Sequence, residues 1–434
     1  MAKALYICYF GLKQPLVQTQ VLPYLRELLK GGHEITLLTF EPAEEEGEKG
    51  RKGERETDDA AIREKLAVEG IDWRWLRYHK RPSAIATAYD IFRGAMFVRQ
   101  VIREKKVDIL HGRVHVPTLM GAIARRFSRR KPKLLFDIRG FFPEEYTDAG
   151  IWPEGGILYR SVKRVEKWLM KEADGFVVLT EKTREILFPG SATTPAFGHP
   201  SSNQEGSYDK DGRPVEVIPC CVDFEQRFLV DRDELRTSFR KRLGVDERLV
   251  FVHAGALGGL YLTEQIADFL QAARERDPGT FALFLTQSDP KVIIPLLQER
   301  GFADTDYFVA KVSPAEIPGY LCAADAGLSF VKAGYATQSR SPTKIPEYLA
   351  CGLPVIANRG VGDVDALVEK NRVGVLLKGF SGEDYLTALS EIDDLDRVQE
   401  RCRQTAANDF DLQNIGGNRY RRLYMSLLGE KGGE

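Results

Sequence analysis

Cysteine and histidine are scarce in this sequence, and their spacing gives little support to disulfide or metal chemistry. Six cysteines are spread over 434 residues without a CxxC pair, and several lie in apolar patterns. We interpret them as reduced core residues of a cytoplasmic protein. Two of the six histidines, His111 and His115, flank a predicted strand end, but no nearby carboxylate completes a zinc site. We therefore expect no bound metal.

Long apolar runs are also absent. None approaches the roughly 20 residues that span a bilayer, and the opening MAKALYICYFG leads directly into a predicted strand rather than a signal peptide. The formal net charge is −1, so no overall field attracts nucleic acid. We interpret the basic run RRFSRRKPK at residues 125–133 as a solvated helix end, with peripheral docking on an anionic membrane as the minor hypothesis. A location at the inner face of a membrane therefore stays open.

Alternating strand and helix patterns fill most of the chain. Apolar runs that predict buried parallel strands, such as Ala4–Phe10, alternate with helical periodicity, as at Gln18–Lys30, and a second series begins at LVFVHAGALGG. With 43% hydrophobic and 29% charged residues, the composition is that of a globular protein with two or three domains. The alternation is typical of doubly wound α/β domains.

Three segments carry predictions of their own. The charged stretch Glu41–Asp59 predicts a mobile loop, and the Ser-, Pro- and Gly-rich stretch Phe188–Pro214 predicts a long surface insertion. Ser83–Glu104 predicts a long amphipathic helix with Phe92, Met96, Phe97 and Val101 on its apolar side.

The most informative stretch is SRSPTKIPEYLACGLPVIANRGVG, Ser339–Gly362. Its prolines, its serine and threonine caps and its glycine stop predict a short helix at about residues 343–351, followed by a strand. The helical period puts Thr343, Lys344 and Glu347 on one face. A hydroxyl, an ammonium and a carboxylate near a helix N-terminus suit a diphosphate and a ribose diol. The alternative is an ordinary capped helix with a solvated Lys/Glu pair.

Together with EKWLMKEADGFVVLTE and VIPCCVD, this stretch resembles the donor-binding region of the retaining, metal-independent glycosyltransferases of family four, which have the GT-B fold. The resemblance implies that Glu347 binds the donor ribose and that the preceding loop binds diphosphate and sugar. The family usually has another glutamate eight residues earlier, and here that position is Ser339. The resemblance also implies an enzyme of the hexosyltransferase type.

The predicted architecture is α/β, with two Rossmann-like doubly wound domains that face each other across a cleft, as the resemblance implies. Residues 1–221 are predicted to form an acceptor-binding domain and residues 245–409 a donor-binding domain. Residues 410–428 are predicted to form a helix that returns to close the first domain. An NAD-dependent oxidoreductase is disfavoured because GLKQPL, and not GxGxxG, follows the first strand.

Polar residues at other predicted strand ends complete the candidate site. The predicted donor-binding residues are Glu347, Ser339, Ser341, Thr343, Gly255, Gly258, Gly259, Gln287, Ser288 and Lys311. The residues predicted to take part in the chemistry are Lys344, Asp137 and Arg139. An Asp137–Arg139 pair that only shapes its loop is the alternative. The acceptor-side candidates are His111, Arg113, Glu144 and Glu145.

The expected function is transfer of a sugar from a nucleoside diphosphate sugar to a hydroxyl acceptor, with retention of configuration, in cell-surface glycan assembly. The acceptor is expected to be a glycan, a lipid-linked molecule or a small molecule. A helix N-terminus and a lysine can stabilise the leaving phosphate, so no cofactor besides the donor is expected. The alternatives are an epimerase or hydrolase on the same fold and a non-catalytic protein that binds sugar nucleotides.

Overall fold

The computed structural model describes residues 1–42, 52–81, 83–191, 207–228 and 231–429, with residues 52–58 as backbone only. In the first part of the chain the strands are β1 (Lys3–Ile7), β2 (Glu34–Pro42), β3 (Ile71–Tyr78), β4 (Ile109–Arg113), β5 (Lys133–Ile138), β6 (Gly175–Val178), β7 (Ser207–Tyr208) and β8 (Pro214–Val217). The helices there are α1 (Pro15–Gln20), α2 (Leu22–Lys30), α3 (Lys52–Val68), α4 (Ser83–Lys105), α5 (His115–Arg126), α6 (Phe142–Asp148), α7 (Ile157–Glu172) and α8 (Glu181–Leu187).

The second part repeats the alternation of strands and helices. Its strands are β9 (Val250–Ala254), β10 (Phe281–Leu285), β11 (Tyr307–Ala310), β12 (Ala326–Ser329), β13 (Val355–Asn358) and β14 (Gly374–Leu377). Its helices are α9 (Arg232–Leu243), α10 (Thr263–Arg276), α11 (Ile294–Glu299), α12 (Ile317–Ala323), α13 (Lys344–Ala350), α14 (Val364–Asn371), α15 (Gly382–Asp393), α16 (Val398–Phe410) and α17 (Asn418–Leu428). Short 3₁₀ turns occupy Pro290–Val292 and Ala336–Ser339, and a π-helix occupies Leu412–Gly417.

The strands form two separate sheets. The first has the order β3–β2–β1–β4–β5–β6–β8–β7 and is parallel except for the β7–β8 pair. The second has the order β11–β10–β9–β12–β13–β14 and is parallel throughout. Both sheets have the strand order of doubly wound domains, which confirms the predicted fold class.

Each sheet is covered by helices on both faces. In β1, Leu5 and Ile7 pack into one apolar core, whereas Tyr6 packs into another core on the opposite face. In β9, Val252 and Phe251 divide in the same way between the two cores of the second sheet. Strands that are buried on both faces read as continuous apolar runs, which is why the sequence predicted them well.

Two predicted loops are shorter than expected. Strand β2 continues to Pro42 and α3 begins at Lys52, so residues 52–59 are helical, and the part at 43–51 lies outside the described residues. Lysine, arginine and glutamate favour helices, so a dense run of charge does not exclude one. Of the predicted insertion at residues 188–214, the part at 192–206 lies outside the described residues. The part from Ser207 onward belongs to the β7–β8 hairpin.

The chain returns to the first domain near its end. The predicted helix at 410–428 is interrupted, because Asp411 is extended and pairs with Val222. Beyond the π-helix, α17 inserts Tyr420 and Tyr424 into the core beside Tyr6. In the part of the chain that the structure describes, no helix has the length and apolar character needed to cross a bilayer.

Candidate active site

A glycine loop and a buried lysine meet at the carboxyl edge of the second sheet. Gly255, Gly258 and Gly259 follow β9 with φ angles of +126°, +75° and +62°, which favour glycine. A Cβ on Gly255 would lie 3.4 Å from Cε and 3.5 Å from Nζ of Lys344. The loop backbone therefore lies directly against the Lys344 ammonium group, while its predicted close approach to a diphosphate or sugar stays a prediction.

Lys344 is a buried cation that has no carboxylate partner among the described residues. The residue is only 4% exposed, and its Nζ lies 4.6 Å from the centre of the Tyr261 ring and 3.4 Å from Nε2 of His253. No carboxylate of the described ranges lies within 4.0 Å of Nζ. Burial lowers the pKa of Lys344 to about 7, although Glu347 opposes the shift. A buried ammonium of this kind favours an anionic ligand, which would supply the missing counter-charge.

His253 is uncharged beside Lys344. Burial, followed by the charge of Lys344, lowers the pKa of His253 well below its ordinary value. The Nε2 atom of His253 also lies 3.1 Å from the carbonyl oxygen of Ala256, within the glycine loop. The imidazole therefore contacts both the loop and the lysine without adding a second positive charge.

Glu347 lies one helical turn beyond Lys344 and has a partner that the sequence analysis missed. Its carboxylate is 3.3 Å from Nη1 of Arg227, in the segment that joins the two domains. Burial raises the pKa of Glu347, and Arg227 opposes the rise. Arg227 also donates a hydrogen bond of 3.4 Å to the carbonyl of Pro314. In the sequence, the only local feature that points to Arg227 is its position four residues after the VIPCCVD motif, which ends at Asp223.

Helix α13 confirms the predicted short helix but not its predicted cap. Ile345 and Tyr348 are buried, as expected of the packing side. Thr343 has helical dihedrals and is exposed, and its side chain makes no capping hydrogen bond. The hydroxyl of Ser341 instead accepts a hydrogen bond of 3.1 Å from the N–H of Cys220 in the first domain. The sequence could not predict this contact, because its partner is 121 residues away.

Ser339 also contacts the first domain. It is 1% exposed, accepts a hydrogen bond of 3.0 Å from the N–H of Phe141 and donates one of 2.6 Å to the carbonyl of Ala336. The aromatic rings of Phe141 and Tyr335 stack beside this contact at 5.0 Å. Its predicted contact with the donor sugar stays a prediction, since its hydroxyl is engaged between the domains here.

The remaining donor-side residues lie at the same edge of the sheet. Ser288 accepts a hydrogen bond of 3.0 Å from the N–H of Leu257, so its hydroxyl orders the glycine loop. Gln287 and Lys311 follow the adjacent strands β10 and β11, and both are exposed. The contacts of these three residues with a nucleotide stay a prediction.

The first domain brings Asp137, Arg139, His111 and Arg113 together in a buried ion network. Asp137 lies 2.7 Å from Nε of Arg139 and 3.4 Å from Nε2 of His111. Burial alone would raise the pKa of Asp137, but Arg139, followed by His111, holds it below its ordinary value. Burial lowers the pKa of His111. Arg113 lies 3.8 Å from the Asp137 carboxylate and donates a hydrogen bond of 3.3 Å to the carbonyl of Gln20.

Helix α17 covers this network. Tyr420 donates a hydrogen bond of 3.2 Å to Asp137, and the hydroxyl of Tyr424 lies 3.0 Å from Nδ1 of His111. The arrangement favours the alternative in which Asp137 and Arg139 shape the loop. Direct contact of these groups, or of His111 and Arg113, with a ligand would require α17 to move.

Helix α6 carries the two other acceptor-side candidates to the interface between the domains. Glu145 forms an ion pair of 3.4 Å with Arg340, and burial raises its pKa while Arg340 opposes the rise. Glu144 accepts a hydrogen bond of 3.1 Å from Tyr159 and pairs with Lys163 at 3.0 Å. Its Oε2 atom is buried and has no hydrogen-bond partner in the described part of the chain. Glu144 therefore retains capacity to accept a hydrogen bond from a ligand.

Solved structures show what this architecture is similar to. A glycosyltransferase from Rickettsia africae ESF-5 has a TM-score of 0.67 at 15% identity, over 99% of this chain and 100% of its own. Sucrose-phosphate synthase from Thermosynechococcus elongatus has a TM-score of 0.66 at 15% identity, over 99% and 100%. HepE from Anabaena, solved in complex with UDP-glucose, has a TM-score of 0.64 at 16% identity, over 98% and 100%. These similarities show the GT-B fold.

Residues 17–189 match the family described as a glycosyl transferase 4-like domain. The match covers less than half of the chain, whose two sheets together have the GT-B fold. No curated protein sequence matches the chain. The buried lysine, the glycine loop and α13 all lie outside the matched range, so their roles rest on geometry. Within the described ranges, no cluster of three or more histidine, cysteine, aspartate or glutamate side chains has the arrangement of a metal centre.

Proposed function

We propose that this protein is a glycosyltransferase that moves a hexosyl group from a nucleoside diphosphate sugar to a hydroxyl acceptor, with retention of anomeric configuration. The observation that supports the proposal most is Lys344, a buried cation with no carboxylate partner among the described residues, under a loop of three glycines. The diphosphate would lie between that loop and the start of α13. HepE, a structure with the same fold, was solved with UDP-glucose bound.

Lys344 would stabilise the charge that develops as the donor reacts. When the bond between sugar C1 and the leaving phosphate breaks, C1 becomes oxocarbenium-like and the phosphate gains negative charge. An ammonium and backbone N–H groups fixed in a buried site stabilise that charge with little reorganisation. The acceptor oxygen would bond to C1 from the face of the leaving group, and its proton would pass to the departing phosphate. No separate protein base is needed in this scheme.

Glu347 would accept hydrogen bonds from the ribose hydroxyls. Its carboxylate now pairs with Arg227, which holds it ionised and oriented in a mostly buried position. Because burial raises the pKa of Glu347, the Arg227 charge matters for keeping the acceptor oxygens available at neutral pH. We assign Arg227 the role of positioning Glu347.

The acceptor would bind beside α6 in the first domain. Glu144 has an unpartnered carboxylate oxygen there, and the rings of Phe142, Tyr146 and Trp152 form a connected cluster, with Tyr146 and Trp152 at 4.5 Å. A carboxylate beside aromatic rings suits a glycan, whose hydroxyls donate hydrogen bonds and whose C–H faces pack on rings. We assign the enzyme to cell-surface glycan assembly. A cytoplasmic location accords with six unpaired, buried cysteines.

A donor panel followed by product analysis tests the proposal. UDP-, GDP- and ADP-sugars are screened by thermal shift, since a ligand of the native state raises its melting point. The stabilising donor is then incubated with candidate acceptors, and the product's anomeric configuration is determined by NMR. We expect acceptor-dependent release of nucleoside diphosphate and a retained linkage.

Each alternative function has a distinct result in the same assay. Donor consumption without an acceptor would indicate a hydrolase, and an altered sugar still attached to its nucleotide would indicate an epimerase. Donor binding without any product across the acceptor panel would indicate a non-catalytic binding protein. An inverted product would contradict retention while leaving glycosyl transfer intact.

A further inference from the structure

Helix α4 presents a stripe of exposed apolar side chains. Ile85, Tyr89, Phe92 and Met96 are 70%, 47%, 65% and 49% exposed. Their spacing of four, three and four residues puts them along one face of the helix. The sequence analysis assigned Phe92, Met96, Phe97 and Val101 to one apolar side. Val101 is buried and Phe97 packs against the core, whereas Phe92 and Met96 are exposed.

The buried side of α4 leaves this stripe free. The residues that α4 buries are Ala86, Asp90, Gly94, Ala95, Val98, Val101 and Ile102. The helix thus has two apolar faces, of which the domain core covers one. In the part of the chain that the structure describes, the other face remains accessible to solvent.

The end of α5 extends the same surface. Phe127 follows α5 and is 66% exposed. It lines a groove of about 1060 Å³ together with Met96 of α4 and the basic pair Arg129 and Arg130. We call residues 85–106, which belong to α4 and the residue after it, together with residues 127–130 the α4 surface.

Cations surround the apolar groups of the α4 surface. The groove is lined by Arg93, Arg99, Arg103, Lys106, Arg129 and Arg130, and no aspartate or glutamate lines it. Arg130 pairs with Asp108. The other five have no carboxylate within 4.0 Å among residues that the structure describes. A chain with a formal net charge of −1 therefore concentrates positive charge here.

We propose that the α4 surface docks on an anionic lipid bilayer. Exposed aliphatic and aromatic side chains on a basic helix suit the boundary between head groups and acyl chains. Each lysine or arginine near an anionic membrane adds to the electrostatic attraction. A symmetric dimer through the same face would set its six cations against six identical cations, which opposes self-association.

The position of the α4 surface relates it to the acceptor side of the enzyme. Asp90, on the buried side of α4, accepts a hydrogen bond of 2.7 Å from Tyr9 and lies 2.6 Å from Nδ1 of His79. Tyr9 and His79 follow β1 and β3 at the carboxyl edge of the first sheet. Bilayer docking would therefore bring a lipid-carried hydroxyl acceptor to the edge that faces the donor domain. The docking itself does not depend on the proposed donor site.

Vesicle binding by the full chain tests the proposal. The probes are vesicles of phosphatidylcholine alone and of phosphatidylcholine with phosphatidylglycerol, in a flotation assay at low and high salt. We expect binding to the anionic vesicles that weakens as salt screens the cations, and little binding to the neutral ones. Binding to neither kind, or equal binding to both, would overturn the proposal.

Two variants separate the apolar and the basic contributions. The triple variant Arg93→Gln, Arg99→Gln, Arg103→Gln should bind anionic vesicles at least about tenfold more weakly, and Phe92→Ser with Phe127→Ser should also reduce binding. The control variant is Leu386→Ser with Lys378→Gln, on the exposed surface of the second domain. The melting temperature of each variant establishes that it is folded.

Two further results would contradict the proposed role of the α4 surface in membrane docking. Equal vesicle binding by the basic triple variant and the control variant would overturn the role of the α4 surface. Light scattering that shows a wild-type dimer, dissociated by Phe92→Ser with Phe127→Ser, would identify a protein–protein interface instead.

Discussion

The hydroxyl of Ser339 accepts a hydrogen bond of 3.0 Å from the backbone N–H of Phe141, so a serine of the second domain contacts a loop of the first. Both residues are at most 3% exposed. Ser339 lies eight residues before Glu347, at the position where the resemblance described above implied a glutamate. Here the position connects the two domains.

Ser339→Ala should weaken the interface between the domains. The substitution leaves the Phe141 N–H without its acceptor in a buried position, which typically costs about 1–3 kcal/mol. We expect a lower calorimetric unfolding temperature and a smaller kcat. Ser313→Ala, which removes an exposed hydroxyl that contacts Glu316, is the matched control. Identical unfolding of the two variants would show that the Ser339 contact contributes nothing.

A second interdomain contact predicts a difference between two substitutions of Asp363. Its carboxylate accepts hydrogen bonds of 2.7 Å and 3.2 Å from the N–H groups of Glu181 and Lys182, at the start of α8. Burial raises the pKa of Asp363 to about 6, although both N–H groups oppose the rise. Asp363→Asn keeps an acceptor oxygen and removes a charge that burial disfavours, whereas Asp363→Ala removes both acceptors.

We therefore expect Asp363→Ala to lose about 1–3 kcal/mol of unfolding free energy and Asp363→Asn to lose less. Calorimetry measures both, with the exposed Asp233→Asn as control. If alanine and asparagine destabilise the protein equally, the hydrogen bonds to α8 are not what makes Asp363 important.

Donor affinity should fall as pH rises above neutrality. Because burial lowers the pKa of Lys344 to about 7 from 10.5, the free enzyme loses the ammonium charge above about pH 7. Donor binding then has to take up a proton, and Kd should rise by up to about tenfold per pH unit. Titration calorimetry of the stabilising donor in buffers of different ionisation enthalpy measures this uptake. A pH-independent Kd with no proton uptake would contradict the role of Lys344.

Folding stability should show the opposite dependence on pH from the same lysine. In the unfolded chain Lys344 keeps its ordinary pKa, so the unfolded state binds the extra proton between about pH 7 and 10.5. The contribution of Lys344 to the unfolding free energy therefore rises with pH across that window. Comparing wild type with Lys344→Met between these pH values isolates it, because methionine does not titrate.

Glu347→Ala should weaken donor binding by about 10–100-fold, since hydrogen bonds to charged groups contribute about 1.5–3 kcal/mol. Arg227→Gln should weaken it less, because Arg227 acts through Glu347. Glu299→Ala, at an exposed glutamate on α11, is the control. Donor affinities measured by titration calorimetry that are the same for Glu347→Ala and Glu299→Ala would exclude the ribose contact.

The sequence predicted the features that depend on neighbouring residues. Helix α13 and the strand after it follow from prolines, apolar periodicity and Gly352, whose φ of +68° favours glycine at a helix end. The glycine pattern predicted a close backbone approach to a diphosphate or sugar, whereas the contact of Gly255 with Lys344 was not predicted. Strands that are buried on both faces were also predicted from the sequence, because they appear as continuous apolar runs.

Contacts between distant residues could not be predicted in the same way. Tyr420 and Asp137 are 283 residues apart, and only the folded chain brings them together. The partner of Glu347 is 120 residues away. Helix α4 has two apolar faces, and periodicity alone does not decide which of them the core buries.

The central claim is that Lys344 is the counter-charge of the donor diphosphate. It is tested most directly by titration calorimetry of the stabilising nucleoside diphosphate sugar at pH 6.5, on wild type and Lys344→Met, with Lys378→Met as control. The pH of 6.5 lies below the pKa of Lys344, which is about 7, so the lysine is mostly charged in the wild type. We expect Lys344→Met to bind at least about tenfold more weakly with an unchanged or higher melting temperature. Equal affinity for all three proteins would contradict the account.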